Sequence, residues 1–495
     1  MNAKAIWILI SLSLILKVLV QAESCESDSG EDICGAVEVT AFKVGDHDDG
    51  IRIKVEMDMC EDFSNVENYF GSRFEESFCN RSAPCTIYSE VGKKISSCFE
   101  FEDESMVFVV PQGRLFMWPT IEPGRQKIVP HVKSPVDGKE IMVETLSLSP
   151  KVYKLHNFFS NEEADALVEN ALNIKDDANR LKRSSTGAIG YTLNEKRTSD
   201  NAFDGDSEVA MMIKRRAIEL LGFPLFKDTW LDGMQILRYQ LRQAYNKHMD
   251  PFELDDDSDG HNYDSTGKGT NRYATILMYL SDVEEGGETV FPEGRPIGLP
   301  EEEDVLPFFE ALEDVRDKNL TSIFRRNSWE EKMVAECQHR LAVKPVKGEA
   351  ILFYSQFPDG TIDDMALHGG CPVREGTKWA ANLWIWNGPR AGYTTVLEDG
   401  TVVDIWNPVP KNVVFINHDI ENAQLYWEDS FFSDFPIGQE VGSNSFIGHK
   451  WNIRVNNQKP PVQKLMIPHE DHYYENSLRL DIHIRSNQDV EMIPA

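Results

Sequence analysis

Basic residues are scarce in this chain: 50 Lys and Arg face 82 Asp and Glu, a formal charge of -32. Nucleic acid and anionic lipid are bound through a basic stripe, so partners of either kind are excluded. Long apolar runs are missing after the first residues, and a membrane span needs about 20 unbroken apolar residues. No internal repeat of fixed length occurs, which excludes solenoids and propellers. No two cysteines stand as a tight Cys-x-x-Cys, which argues against structural zinc.

What the chain does have is length, 495 residues at 41% hydrophobic, more than one core holds. Two or three domains follow. Lys4 precedes an apolar run from Ile6 to Leu16, Lys17 interrupts it, and Val20, Gln21 and Ala22 close it, so residues 1–22 predict a cleaved signal peptide. Of the cysteines, Cys25, Cys34, Cys60, Cys79, Cys85 and Cys98 crowd the first fifth, and only Cys337 and Cys371 lie beyond. That usage fits an oxidising compartment and predicts three N-terminal bridges, their pairing open, plus a Cys337 to Cys371 bond. Asn80-Arg-Ser82 and Asn319-Leu-Thr321 are glycan acceptor triplets that agree with a secreted glycoprotein. Glu491 to Ala495 form no retrieval signal for the endoplasmic reticulum, so residence there needs a partner, whereas passage to the Golgi or outside does not.

Residues 23–145 are acidic, cysteine-rich and strand-like, with apolar alternation at Ile51 to Val55 and Met106 to Val110. From 146 to 395 the character changes. Ser160 with Glu163 is a capping box, and Ala164, Leu167, Val168, Ala171 and Leu172 share one helical face. A second helix carries Val209, Met212, Ile213, Ala217 and Leu220 and stops at Gly222. The period then drops to two in Met234 to Tyr239, Ala274 to Leu280, Glu349 to Tyr354 and Lys378 to Trp386, so two helices should back a β-sandwich or barrel. An insertion at 296–341 has mixed helical periodicity and one of the glycan triplets, so an outside position is expected, as a lid or as decoration. A small β-domain is expected at 400–457 and a tail without clear period at 458–495.

Side chains two apart on a strand share a face, so His248 and Asp250 can hold one metal ion. The same spacing recurs at His47 to Asp49 and His469 to Asp471, as expected in an acidic chain, so context decides. Around His248 stand Arg238-Tyr239, then Tyr245-Asn-Lys-His248-Met-Asp250-Pro-Phe252, and then Arg272-Tyr-Ala-Thr-Ile-Leu-Met-Tyr-Leu280 followed by Gly-Gly-Glu-Thr289-Val-Phe-Pro292. A further block reads Leu367-His368-Gly-Gly-Cys371-Pro-Val-Arg-Glu-Gly-Thr-Lys378-Trp-Ala-Ala-Asn-Leu-Trp384. Over residues 150 to 390 these blocks resemble the catalytic domain of the prolyl 4-hydroxylases, Fe(II)- and 2-oxoglutarate-dependent dioxygenases.

The resemblance implies a double-stranded β-helix, or jelly-roll, core; with the segments on either side, the expected fold is mainly β (α+β) with flanking helices, an N-terminal disulfide-bonded β-rich domain and a small C-terminal β-sandwich. Two histidines and a carboxylate on one face of iron leave the opposite positions open, and the resemblance assigns these to His248, Asp250 and His368. It makes Lys378 the partner of the distal carboxylate of 2-oxoglutarate, with Tyr239 and Thr289 as further candidates for that group. Arg197, Ser199, Arg272, Tyr245 and Trp384 are the implied substrate-groove residues; for the aromatics core packing, and for the arginines plain surface charge, are the competing explanations. The implied reaction hydroxylates C4 of a peptidyl proline in a proline-rich or collagen-like polypeptide, with 2-oxoglutarate and O2 becoming succinate and CO2 and ascorbate rescuing uncoupled turnovers. Three positions depart from the family: Asp232 for a usual glutamate, Arg242 for a glycine, and Trp386 where histidine is frequent. From Asp250 to Asp264 the chain carries seven acidic residues, a solvated loop or a lid over the peptide.

Asn412-Val-Val-Phe-Ile-Asn417, Leu425-Tyr-Trp427 and Ser445-Phe-Ile-Gly448-His449-Lys-Trp451 resemble the von Hippel-Lindau β-domain, which implies a hydroxyproline pocket of Ser445, His449 and Trp451. Ordinary strand alternation accounts for His449 and Trp451 equally. Two rival functions stand beside the hydroxylase: a related dioxygenase acting on another residue or substrate, and a non-catalytic secreted binding protein on the same scaffold.

Overall fold

The structure is a computed structural model that describes residues 36–74, 78–79, 85–184, 197–223, 226–254, 259–300, 302–392, 394–396, 400–404, 410–427, 430–446, 450–456, 461–466, 479–486 and 490–494. The expected signal peptide, Cys25, Cys34, the Asn80 triplet, His449 and the His469 to Asp471 pair lie outside these residues, as does the side chain of Ser445. The chain divides into two compact units, residues 1–90 with 94–113, and residues 91–93 with 114–495.

In the N-terminal unit β1 (Ala36–Lys43), β2 (Ile51–Glu56), β3 (Thr86–Ser89), β4 (Lys94–Ile95) and β5 (Met106–Val110) form one sheet in the order β2-β1-β5-β3-β4. Ile53 and Val55 turn inward at period two, as their alternation predicts. Helix α1 (Phe63–Ser72) lays Val66 and Phe70 on this core, Phe70 stacking on Phe101 at 5.5 Å. Cys60 is bonded to Cys98 and Cys79 to Cys85. The helix was not anticipated from a sequence read as strands alone.

The second unit begins with β6 (Gln126–Ile128), β7 (Met142–Ser147) and β8 (Val152–His156), then α2 (Asn161–Asn173), β9 (Lys182–Arg183), β10 (Asp200–Asp204) and α3 (Glu208–Leu220). The barrel strands follow as β11 (Met234–Tyr239), β12 (Tyr245–His248), β13 (Arg272–Tyr279), β14 (Glu285–Gly286) and β15 (Thr289–Phe291). After helices α4 (Phe308–Asp317) and α5 (Trp329–His339) come β16 (Leu341–Val343), β17 (Ala350–Tyr354), β18 (His368–Gly370), β19 (Val373–Glu375) and β20 (Lys378–Trp386). One nine-stranded sheet runs β6-β7-β8-β17-β13-β20-β11-β10-β9, and a four-stranded sheet runs β12-β18-β15-β16. Leu277, Ile351, Phe353 and Ala380 of the large sheet pack with Phe291, Leu341 and Val343 of the small one, so the core lies between two facing sheets, as in a jelly roll. Because β6 and β7 pair into the large sheet, the N-terminal unit ends near Gly113 and not at 145.

Helix α2 starts where its capping box places it: Ser160 Oγ accepts from the Glu163 amide at 3.1 Å, and Glu163 Oε2 accepts from the Ser160 amide at 2.9 Å. The same carboxylate takes the Arg216 guanidinium at 2.8 Å, joining α2 to α3. The insertion is a hairpin of α4 and α5 with its own small core of Ala311, Leu312, Val315, Val334 and Ala335.

Beyond the hairpin of β21 (Thr394–Val396) and β22 (Val402–Asp404), the C-terminal strands are β23 (Pro410–Asn417), β24 (Ala423–Trp427), β25 (Ser430–Asp434), β26 (Glu440–Phe446), β27 (Lys450–Val455), β28 (Gln463–Met466), β29 (Arg479–Ile484) and β30 (Val490–Pro494). Two four-stranded sheets, β26-β23-β29-β30 and β25-β24-β27-β28, share a core that includes Phe415, Leu425, Trp451 and Ile482. The expected tail is therefore part of the fold: β29 pairs in parallel with β23 and buries Ile482 and Ile484. Trp451 is also corrected. Its ring is 2% exposed and lies 4.8 Å from Phe415, so core packing uses the surface a hydroxyproline ring would need.

Candidate active site

His248 closes β12 and His368 opens β18, and antiparallel register sets them directly opposite, with ring centroids 4.5 Å apart. Asp250 follows just past the strand end and is 5% exposed. Its Oδ1 stands 3.7 Å from His248 Nε2 and its Oδ2 3.7 Å from His368 Nε2, too far for hydrogen bonds. The far nitrogens are engaged elsewhere: His248 Nδ1 faces the Asn246 carbonyl at 2.9 Å and His368 Nδ1 the Ala366 carbonyl at 3.0 Å. A carbonyl only accepts, so each Nδ1 carries the proton and each Nε2 presents a bare lone pair.

Three lone-pair donors thus converge in a buried place with no proton between them, which suits a divalent cation with N, N, O ligation. Burial first, then His368, drive the His248 imidazolium pKa down to about 3 against the pull of Asp250, so the ring is neutral. Burial pushes the Asp250 carboxyl up, but His368, His248, Arg272 and the Thr275 hydroxyl together outweigh it and hold it below the ordinary value. Thr275 was missed in the sequence. Its Oγ1 donates to Asp250 Oδ2 at 2.6 Å from the inward face of β13, the face also carrying Leu277 and Tyr279, and only register reveals that meeting.

Lys378 lies 3% exposed on β20, opposite Tyr239 in register. Its Nζ sits 5.4 Å from the Tyr239 ring and 5.5 Å from the Tyr279 ring and forms no ion pair among the described residues. Burial lowers its pKa to about 8 in spite of Glu288. A buried ammonium without a paired carboxylate fits an anionic co-substrate. Tyr239 is held protonated by burial, and its hydroxyl lies against Gly370, where an added Cβ would come within 3.6 Å of it. Thr289 pairs with Gly370 in register and accepts a hydrogen bond from Tyr279 Oη at 3.0 Å, leaving its own proton to donate. Tyr279 is the second residue not anticipated here.

A cleft of about 960 Å³ opens beside the triad, lined by Arg197, Tyr245, His248, Asp250, Phe252, Arg272 and Trp384 among others. Tyr245 stacks on His248 with centroids 3.7 Å apart, and Arg197 covers the outer side of Tyr245 at 4.5 Å. Arg272 is held between the Trp384 ring at 3.9 Å and the Phe252 ring at 4.8 Å. Asp232 Oδ2 accepts from its Nε and Nη2 at 2.9 Å each, and the Asp250 carbonyl accepts from its Nη1 at 3.2 Å. Arg197, 6% exposed, is no plain surface charge. Ser199 does not line the cleft: it is fully buried and bonded to Ser184 Oγ at 3.0 Å, behind Arg197.

The three departures have local causes. The shorter Asp232 still reaches Arg272 and also accepts from Trp386 Nε1 at 3.3 Å. Trp386 packs with Phe252, His261 and Tyr263. Arg242 adopts φ +69°, the left-handed conformation that favours glycine. Of the acidic loop, residues 255–258 lie outside the described part. His47 stands with Asp46 and Asp48 on a partly exposed turn, an ordinary surface pair.

A jelly roll whose strands present two histidines and a carboxylate together with a buried lysine defines a 2-oxoglutarate- and Fe(II)-dependent oxygenase, and residues 234–386 match the family model described as the 2OG-Fe(II) oxygenase superfamily. The chain is 32% identical over 247 residues to "Prolyl 4-hydroxylase 5" of Arabidopsis thaliana, covering 50% of this chain and 71% of the relative. It is 34% identical over 247 residues to "Probable prolyl 4-hydroxylase 3" of the same plant, covering 49% and 71%. A solved viral collagen prolyl hydroxylase from Paramecium Bursaria Chlorella virus-1 shares 23% identity, with 48% of this chain and 95% of that one covered at a TM-score of 0.29. The chain belongs to the prolyl 4-hydroxylase family.

Proposed function

We propose that this protein hydroxylates C4 of peptidyl proline in proline-rich or collagen-like polypeptides, with His248, Asp250 and His368 holding Fe(II). The observation that carries the proposal is the convergence of three unprotonated donor atoms, with the buried cation of Lys378 over the ring of Tyr239, whose hydroxyl lies against Gly370, two residues past His368. Bound there, Fe(II) supplies the redox chemistry that couples decarboxylation of 2-oxoglutarate to insertion of one oxygen atom into a C–H bond. The protein's own share is positional. The Asn246 and Ala366 carbonyls fix both imidazole tautomers, and Thr275 fixes the rotation of the Asp250 carboxylate. Lys378 pairs electrostatically with the distal carboxylate of 2-oxoglutarate while Tyr239 and Thr289 donate to it. Arg272, immobilised by Asp232 and two rings, keeps donors free for peptide carbonyls, and Tyr245, Trp384 and Arg197 line the peptide path and exclude water.

The setting is the secretory pathway, in the lumen of the endoplasmic reticulum or Golgi or outside the cell, with ascorbate as the reductant for uncoupled turnovers. Support comes from the formed disulfides and from Asn319 standing exposed beyond α4. No described helix is long and apolar enough to cross a membrane. The test is a panel of proline peptides incubated with Fe(II) and 2-oxoglutarate, with succinate release and product mapping by mass spectrometry. Oxygen on proline C4, lost in His248→Ala, is the expected result. Oxygen on another side chain, or succinate release unchanged in that variant, overturns the proposal.

A further inference from the structure

The insertion is fastened to both strands that carry the histidines. From α5, Cys337 is disulfide-bonded to Cys371, three residues past His368. Glu336 accepts from Lys247 Nζ at 2.7 Å, and Lys247 immediately precedes His248. Met333, 2% exposed, lies over Gly369: a Cβ there would meet Met333 Cε at 2.6 Å, the Tyr245 carbonyl at 3.0 Å and the Lys247 amide nitrogen at 3.3 Å. Strand β18 is therefore held between α5 and β12 with no room for a side chain at position 369. Residues 333, 336 and 337 share one helical face. The adjoining turn of α5 is anchored to α4 by Val334 and Ala335 in a common core and by Arg316 on Glu331 at 2.8 Å.

Such a clamp has something to do, because the ladder between the two ligand strands is short. Strand β18 has three residues and β12 four, and their register shifts between Tyr245 and His248. A bulge leaves the local ladder disrupted, so backbone pairing alone holds the two Nε2 atoms loosely. We infer that α5 is a positioning element for the metal centre: it sets the spacing of the ligand strands, so metal affinity itself depends on the Cys337–Cys371 bond and on Met333 and Glu336. This rests on His248, Asp250 and His368 being the metal ligands. It also ties metal retention to an oxidising compartment. The Lys247–Glu336 pair is 36% and 12% exposed and contributes little energy by itself; the disulfide and the methionine contact carry most of the constraint.

The experiment is Mn(II) titration of the full chain, read as free Mn(II) by electron paramagnetic resonance, with circular dichroism at the same temperature. Removing groups that orient metal ligands lowers affinity by roughly tenfold to a hundredfold, and a loss in that range is expected for Cys337→Ala/Cys371→Ala. Met333→Ala and Glu336→Lys should lose less, and Lys247→Glu added to Glu336→Lys should restore binding. Cys60→Ala/Cys98→Ala, which removes a disulfide of the N-terminal unit, should leave the Mn(II) Kd unchanged. A folded Cys337→Ala/Cys371→Ala variant that binds Mn(II) like wild type overturns the inference. If that variant does not fold, wild-type affinity in both Met333→Ala and Glu336→Lys does so. Wild-type protein that binds no Mn(II), or a His248→Ala variant that binds it equally well, defeats the ligand assignment instead.

Discussion

Replacing Lys378 by Met keeps most of the side-chain volume and removes the charge from a site 3% exposed. Hydrogen bonds to charged groups contribute about 1.5–3 kcal/mol. At about 1.4 kcal/mol per decade, Lys378→Met should lower kcat/KM for 2-oxoglutarate by roughly 10- to 150-fold. Deep burial, with no competing ion pair among the described residues, places the effect toward the upper end. A pH dependence accompanies it. Burial has lowered the lysine to about 8, so the free enzyme loses its ammonium as pH rises through that value. Wild-type kcat/KM for 2-oxoglutarate should then fall about tenfold per unit above pH 8 while the co-substrate carboxylates stay ionised. In Lys378→Met that alkaline limb disappears. Succinate release at varied 2-oxoglutarate between pH 7 and pH 9.5, with peptide saturating, measures both. A variant within twofold of wild type, or one that keeps the limb, refutes the placement of the co-substrate against this lysine.

Thr275→Val removes the hydroxyl that orients Asp250 and should weaken Mn(II) binding about tenfold, with Thr275→Ser restoring it. Asp232→Asn frees the Arg272 guanidinium, so KM for a proline peptide should rise roughly tenfold or more while KM for 2-oxoglutarate stays unchanged in the same rate assay. Trp451→Ala opens a cavity in the C-terminal core and should cost about 3–5 kcal/mol there, seen as an early unfolding transition in calorimetry.

Strong local signals translated well into structure. The Ser160 capping box begins α2, Gly222 stands at φ +67° just past α3, and each of the four period-two segments of the catalytic region is a strand. Weaker ones did not. Arg479 to Ile484 alternates apolar and polar residues, yet it lies far along the chain from its parallel partner β23, and nothing local announces such a pairing. The His248, Asp250 and His368 set was legible because its spacing and neighbours are local motifs. Ser199 was misplaced because, two residues from Arg197 and just before β10, it is buried against Ser184 behind that arginine, and only packing between distant segments decides this.

By itself, the order of residues determined which side chains were candidates to meet iron and 2-oxoglutarate, since donor chemistry, charge and strand period are properties of short segments. Only the folded sheets decided that His248 and His368 stand directly opposite, that Thr275 caps Asp250, that Asp232 and two rings hold Arg272, and that the insertion grips both strands that carry the histidines. Each of those contacts joins residues distant along the chain, and their distances are set by register and burial rather than by composition.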